Sequence, residues 1–365
     1  MTAPSPVALH PREVLLGAQA GAVVLPVCDH YSGVEARMRK SLQLQADLMA
    51  ERGACVLDVT LDCEDGAPVG GEDEHAQMVV ELVRGVSDAR QRVGVRVHPV
   101  NHPAFEADVA TIVSAVGPRL AYVMLPKVES AADVDRAIVA LDAAMASALG
   151  VAAGSAAGAA LPVHALIESP AAVHRAFEVA AHPRVQSLSF GLMDFVSAHH
   201  GAIPSHGMGV QGQFSHPLVL RAKMEIASAA HAHGKVPSHC VVTEFRDREA
   251  LRTAATKAAS ELGYTRMWSI HPDQIGVILD AFSPALAEVE QAAEIVLAAM
   301  AADWAPISHQ GYLHDRASYR YFWQVIERAH ATGMTLPGAL VPYLRSVASG
   351  VTPDAPVHAA DCRLS

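Results

Sequence analysis

The 365-residue chain predicts an α/β fold, a (β/α)8 TIM barrel with a C-terminal helical extension. Three observations carry this. Eight short apolar or β-branched runs recur along the first three quarters of the chain. Most are continuously apolar rather than alternating, as parallel strands covered on both faces require. Helical patterns fill most intervals between them, and several stop at glycine.

The strand candidates are AVVLPV (22–27), CVLDVTLD (55–62), VGVRVHP (93–99), YVMLPKV (122–128), VHALIE (163–168), VQSLSFG (185–191), VPSHCVV (236–242) and TRMWSI (265–270). Between them lie helical stretches such as MRKSLQLQADLMAERG, VDRAIVALDAAMASALG and LVLRAKMEIASAAHAHG. An open doubly wound sheet is the alternative. It would carry a glycine-rich turn after its first strand, and PVCDHYSG stands there instead. The segment 150–162 is low-complexity and reads as a flexible loop before strand five.

The barrel domain is expected over 1–282 and a helical extension over 283–350. The extension holds one long helix, SPALAEVEQAAEIVLAAMAAD, then a turn and a second helix in ISHQGYLHDRASYRYFWQVIERAHATG. Residues 351–365 are expected to form a disordered tail.

Composition narrows the function. Apolar residues make up 51%, enough for a sizeable core. The net charge is -11 and the 27 Lys and Arg form no basic run, which argues against a nucleic-acid partner. Five cysteines, with no CxxC pair, argue for a reducing compartment and against a disulfide framework or a four-cysteine zinc site. The start of the chain lacks a basic, then apolar, leader pattern, and no apolar run reaches membrane-spanning length. A cytoplasmic protein with no membrane partner is the expectation.

Two acids carry the strongest chemical signal. Glu168 closes VHALIES and Asp194 closes VQSLSFGLMD, one helix apart. In a barrel this sets both carboxylates at the same mouth on neighbouring strands, a seat for a hard divalent cation. Helix capping is the competing role, for which Ser169 is better placed than Glu168. Arg96, inside the apolar run VGVRVHP, is costly to bury unless it meets an anion. Its fork suits a substrate carboxylate or carbonyl, or an ion pair with Asp62 or Glu64 on the adjacent strand. Asp62, Glu64 and Asp65 form the cluster DCED, which demands a balancing cation, Arg or solvent.

Lys127 ends strand four in LPKVES. It offers a Schiff-base amine, a contact to an anionic cofactor, or a pair with Glu129. His271, in SIHPDQI, is a candidate base or hydrogen-bond partner, with Asp273 as the expected helix cap. Asp315, in GYLHDRASYR, is either a mobile acid closing over the mouth or an N-cap for the helix that follows.

The segments LDCEDGAP (61–68), LPKVESAADV (125–134), ALIESPAAV (165–173), LSFGLMDF (188–195) and SIHPDQIGVI (269–278) resemble the citrate lyase beta subunit and malyl-CoA lyase group of the HpcH/HpaI aldolase superfamily. The resemblance runs from about residue 22 to about residue 330. It implies a TIM barrel with a C-terminal helical extension, assembled as a homotrimer or a dimer of trimers. It implies Mg2+, with Mn2+ as an alternative, on Glu168 and Asp194. It implies Arg96 against the 2-oxo acid, Asp62 and Glu64 beside it, Lys127 and His271 toward the cofactor, and Asp315 reaching a neighbouring subunit's site.

The implied reaction is reversible Claisen-type cleavage of a 3-hydroxyacyl-CoA, such as malyl-CoA or citramalyl/citryl-CoA, into an acyl-CoA and a 2-oxo acid. A metal-dependent aldolase acting without CoA, or a non-catalytic barrel subunit, are the alternatives. The chain departs from the family pattern in three places. LPVCDHYSG replaces the usual Phe-Val-Pro-Gly stretch at the end that helps bind CoA, His98 replaces an asparagine, and AQMVVELV lacks the usual lysine and arginine.

Overall fold

The structure is a computed structural model that describes residues 10–22, 24–151 and 160–348. The centre of the low-complexity segment, the expected tail and Cys362 lie outside these residues. The described residues form two compact units.

The larger unit, 21–285 with 328–334, holds a closed barrel of eight parallel strands in sequential order. The strands are β1 Cys28–Ser32, β2 Leu57–Asp62, β3 Val93–Arg96, β4 Tyr122–Leu125, β5 Val163–Ile167, β6 Val185–Phe190, β7 Val236–His239 and β8 Arg266–Ser269. Helices fill every interval, and β8 closes onto β1 through Cys28↔Met267 and Asp29↔Trp268. The expected glycine stops are present. Gly53 and Gly150, at φ 69° and 65°, end helices Glu35–Arg52 and Ala131–Leu149 in the left-handed conformation that glycine adopts freely.

Seven strands fall within their expected runs. The first does not: the expected strand 22–27 is displaced to CDHYS, residues 28–32. The reason is chemical. Asp29 points to the barrel axis, where it meets Thr60 of β2, Tyr122 of β4 and Arg266 of β8. A strand that faces an ionic interior is not marked by hydrophobicity.

Alternation along β2 shows the general arrangement. Val59 and Leu61 pack against the helical shell, while Asp58, Thr60 and Asp62 face the axis. Each fully buried aliphatic side chain on the shell side contributes about 1.5–3 kcal/mol. The axis is tiered. At its base Arg266 holds Asp29 at 3.0 Å and Asp58 at 2.8 Å, and Arg92 holds Asp58 at 2.8 Å. Tyr122 completes this tier, with His164 stacked on its ring at 3.8 Å. Above it lies a small apolar tier of Tyr31, Met124, Leu166, Val241 and Trp268. The strand ends above that carry charge again.

The smaller unit, 10–20, 286–327 and 335–348, is helical apart from a two-stranded hairpin, β9 Ile307–His309 and β10 Tyr312–His314. From the sequence only a turn is expected here. Gln310 and Gly311, at φ 48° and 83°, make the two-residue connection, the positive-φ pair that tight hairpins need. Within this unit Glu327 is buried against Arg12 at 3.0 Å and the Trp323 indole at 2.8 Å. No helix among the described residues is long and apolar enough to cross a membrane.

Candidate active site

The site is built at the C-terminal ends of β2 to β6. Asp62 is the last residue of β2 and sits beside Arg96, the last residue of β3. Two parallel bonds join them: Arg96 Nε to Asp62 Oδ1 at 2.7 Å and Nη2 to Oδ2 at 2.5 Å. The third nitrogen, Nη1, lies 3.1 Å from Glu64 Oε2. The ion pair expected for Arg96 is therefore made with both acids at once. Burial works against the guanidinium charge, and Asp62 and Glu64 outweigh it, holding its pKa above the ordinary value.

Asp62 also folds its own loop. Its carboxylate accepts the amides of Glu64 at 3.0 Å and Gly66 at 2.9 Å. A Cβ on residue 66 would stand 2.2 Å from Asp62 Oδ2, so this close return needs glycine.

Lys127 follows β4 and takes φ 51°, a conformation that costs a non-glycine residue of order 1–3 kcal/mol. Two contacts hold it there. Its amide donates to Glu168 Oε1 at 2.6 Å, and its ammonium binds Glu64, with Asp65 at 3.3 Å and Asp194 at 3.9 Å. Burial opposes the ammonium charge, and the carboxylates, Glu64 foremost, raise its pKa regardless. The expected pair with Glu129 is not made. Glu129 instead accepts from Ser169, which caps helix Pro170–His174 as anticipated.

Glu168 stands immediately past β5 and is 4% exposed. Asp194 is not on a strand: it lies in the first turn of helix Leu192–Ser197, after β6. The run VQSLSFGLMD concealed the boundary because its helical end is as apolar as its strand. Burial and then the Asp194 charge push the Glu168 pKa well above the usual carboxylate range. Residue 191 must be glycine for the two to face each other, since a Cβ there would stand 2.3 Å from Glu168 Oε2.

Five carboxylates (Asp62, Glu64, Asp65, Glu168 and Asp194) thus share two cations, Arg96 and Lys127. Both cations lean toward the DCED side. Among the described residues the hydrogen-bond donor to Glu168 is the Lys127 amide. The chemistry of this donor set fits a hard dication. Among the described residues no group of three His, Cys, Asp or Glu is arranged to hold a metal.

Two residues named from the sequence are helix caps in the structure. His271 is itself the N-cap of helix Pro272–Phe282, accepting from the Asp273 amide at 3.2 Å, whereas Asp273 was the expected cap. Its ring stacks on Phe245 at 5.0 Å. Asp315 caps helix Arg316–Ala331 in the smaller unit, accepting from the Ala317 amide at 2.9 Å.

The departures at β1 and β3 are also explained. Cys28, Asp29 and His30 are buried at 0%, 0% and 2% exposure: Asp29 faces the axis, Cys28 packs into the shell-side core, and the His30 ring lies 3.0 Å from the Ser269 hydroxyl. His98 is fixed by Asp108, which accepts from its ring at 2.7 Å and its amide at 2.9 Å. Tyr31 and Trp268, whose rings lie 5.5 and 5.9 Å from the Arg96 guanidinium, are not among the residues singled out from the sequence. The only signal was an aromatic residue at an axis-facing position of each strand.

The family model for HpcH/HpaI aldolase/citrate lyase matches residues 45–272, which span β2 to β8. The chain belongs to this family. It is similar to the L-malyl-CoA/beta-methylmalyl-CoA lyase of Cereibacter sphaeroides, at 30% identity over 77% of this chain and 90% of that one. It is also similar to the crystal structure of a citrate lyase from Burkholderia xenovorans LB400, at 48% identity and a TM-score of 0.75, over 92% of this chain and all of that one. The CitE protein of Mycobacterium tuberculosis shares the fold, at 21% identity and a TM-score of 0.60, over 84% and 99% of the two chains. The protein is an enzyme of the citrate lyase beta/malyl-CoA lyase type, a carbon–carbon lyase.

Proposed function

We propose that the protein is a Mg2+-dependent lyase that reversibly cleaves a 3-hydroxyacyl-CoA, such as malyl-CoA or citramalyl/citryl-CoA, into an acyl-CoA and a 2-oxo acid. The observation that carries this is the imbalance at the mouth. Buried Glu168 beside Asp194 has no side-chain cation of its own, while Arg96 and Lys127 are drawn to Asp62, Glu64 and Asp65. Glu168 and Asp194 would hold the ion. Bound there, Mg2+ supplies a Lewis-acid charge for oxygens of the oxo acid.

The remaining work belongs to the chain. Arg96 has five N–H groups; two are bonded to Asp62 and Nη1 lies in an ion pair with Glu64, which leaves donors on Nη1 and Nη2 for the oxo-acid carboxylate or carbonyl as the C–C bond breaks. The Asp62 and Glu64 bonds fix the guanidinium before substrate arrives, so little reorganisation is needed at the moment of reaction. Lys127 and His271 are assigned to the acyl-CoA side. Asp315, from a neighbouring copy in a homotrimer or a dimer of trimers, would protonate the enolate carbon.

Named relatives support the reading. The Cereibacter enzyme is a malyl-CoA lyase, and the M. tuberculosis protein was crystallised with magnesium, acetoacetate and coenzyme A. The test is calorimetric and kinetic. Glu168→Gln and Asp194→Asn should each weaken Mg2+ binding at least about tenfold and lower cleavage of malyl-CoA by about 100-fold, with the fold retained. Unchanged Mg2+ affinity in both variants would show that the ligands are misassigned. Cleavage of a free hydroxy-oxo acid, with none of the thioester, would favour the CoA-independent aldolase.

A further inference from the structure

Breaking a C–C bond beside a hydroxyl takes two proton transfers. The hydroxyl loses its proton as the bond breaks, and the enolate carbon gains one. Asp315 is assigned the second transfer above, and the first needs a base of its own. The acids at the mouth are committed. Asp62 and Glu64 answer Arg96, Glu64 and Asp65 answer Lys127, and Glu168 with Asp194 forms the seat for the ion. The same acids hold Lys127 as an ammonium.

His98 is differently placed. It stands two residues past Arg96, and the Val97 amide between them still bonds the Met124 carbonyl, so the strand pattern runs on past β3. Val97 packs into the shell, which turns His98 to the same side as Arg96. Asp108 Oδ2 accepts from the His98 ring Nδ1 at 2.7 Å and from its amide at 2.9 Å. A carboxylate accepts, so Nδ1 carries the proton and Nε2 keeps its lone pair. The His102 ring, stacked at 4.4 Å and 14°, steadies the plane. Nε2 makes no hydrogen bond among the described residues, and the side chain is 11% exposed. Three other imidazoles at the strand ends are turned the opposite way. His75 Nε2 donates to the Asp62 carbonyl at 2.9 Å, and His102 and His271 each accept a backbone amide on Nδ1 at 3.2 Å, so all three carry a proton on Nε2.

We propose that His98 is a catalytic base whose Nε2 takes the hydroxyl proton of the 3-hydroxyacyl thioester, with Asp108 as its positioning residue. The O–H electron pair becomes the second bond of the new carbonyl, the C–C bond breaks, and its pair passes into the thioester enolate. In condensation the imidazolium returns that proton to the alkoxide. The asparagine usual here in the family cannot take a proton, so this base is particular to the chain. The inference rests on the lyase reading above and adds a residue to it.

The test uses the full-length protein with Mg2+ and two assays. One is cleavage of malyl-CoA or citramalyl-CoA, whichever the wild type turns over faster. The other is exchange of the acetyl-CoA methyl hydrogens with D2O in the presence of oxalate, which forms and quenches the enolate without any hydroxyl. His98→Gln is expected to lower kcat for cleavage by about 100-fold or more, with KM and the exchange rate held within about threefold. Asp108→Asn should lower cleavage in the same way, because an amide that donates to Nδ1 moves the ring proton onto Nε2. Cleavage by His98→Gln within about threefold of the wild type overturns the inference. So does a parallel loss of cleavage and exchange, which would mean that His98 supports the whole site and not this one transfer. A wild type that neither cleaves nor exchanges removes the lyase reading, and the inference with it.

Discussion

At the residue scale the site depends on charges that are committed before any ligand arrives. Arg96 is an example: two acids hold it, and its remaining donors are aimed by them. Elsewhere in the barrel unit a different lysine shows what happens without such partners. Lys223 is fully buried, bonded to the Gln213 carbonyl at 2.6 Å and His239 Nε2 at 2.8 Å, with its ammonium 3.9 Å from the Phe214 ring. Burial pulls its pKa down from 10.5 to about 8. The unfolded chain therefore binds a proton more readily than the folded one between these values. The penalty is complete below about pH 8 and is relieved as pH rises toward 10.5. Relative to Lys223→Met, the wild type should gain up to about 3 kcal/mol of stability across that window, read by urea unfolding at several pH values. Parallel pH profiles of the two proteins would show that the lysine is not held in this state.

At the element scale, β1 is pinned by ions rather than by apolar packing. Arg266 of β8 ties Asp29 of β1 and Asp58 of β2, and also donates to the Pro26 carbonyl at 2.8 Å. Arg266→Met would leave two buried carboxylates short of a partner, and a loss of about 3–5 kcal/mol is expected in denaturant unfolding. A loss below about 1 kcal/mol would mean that β1 is held by something else. The same strand shows how far the sequence was legible. Seven strands follow from hydrophobic runs, and in β2 to β6 the residues packed into the shell are mainly Val, Leu and Ile. β1 escaped because its shell face is short and its axis face is Asp29 and Tyr31. The acids of the mouth were readable as residue types at strand ends. Lys127's choice of Glu64 over Glu129 was not, since it depends on a positive φ that no lysine in a sequence advertises. The start of the helix that carries Asp194 was hidden for a simpler reason: Leu192 and Met193 extend the apolar run of β6 without a break.

At the scale of the whole barrel, the ionic base has a kinetic consequence. Asp29, Asp58 and Arg266 are all 0% exposed, so the axis is sealed at that end and the reaction chamber is a cul-de-sac. Under the proposed reaction the oxo acid lies at the blind end and the bulkier thioester fills the doorway behind it. Departure is then forced into a queue, acyl-CoA leaving first and the small acid second. Product-inhibition kinetics should show the 2-oxo acid competing with the hydroxyacyl-CoA and the acyl-CoA inhibiting noncompetitively. Random release would mean that the chamber has a back exit. A barrel plugged by salt bridges would thus dictate the order of events, although none of those ions touches a reactant.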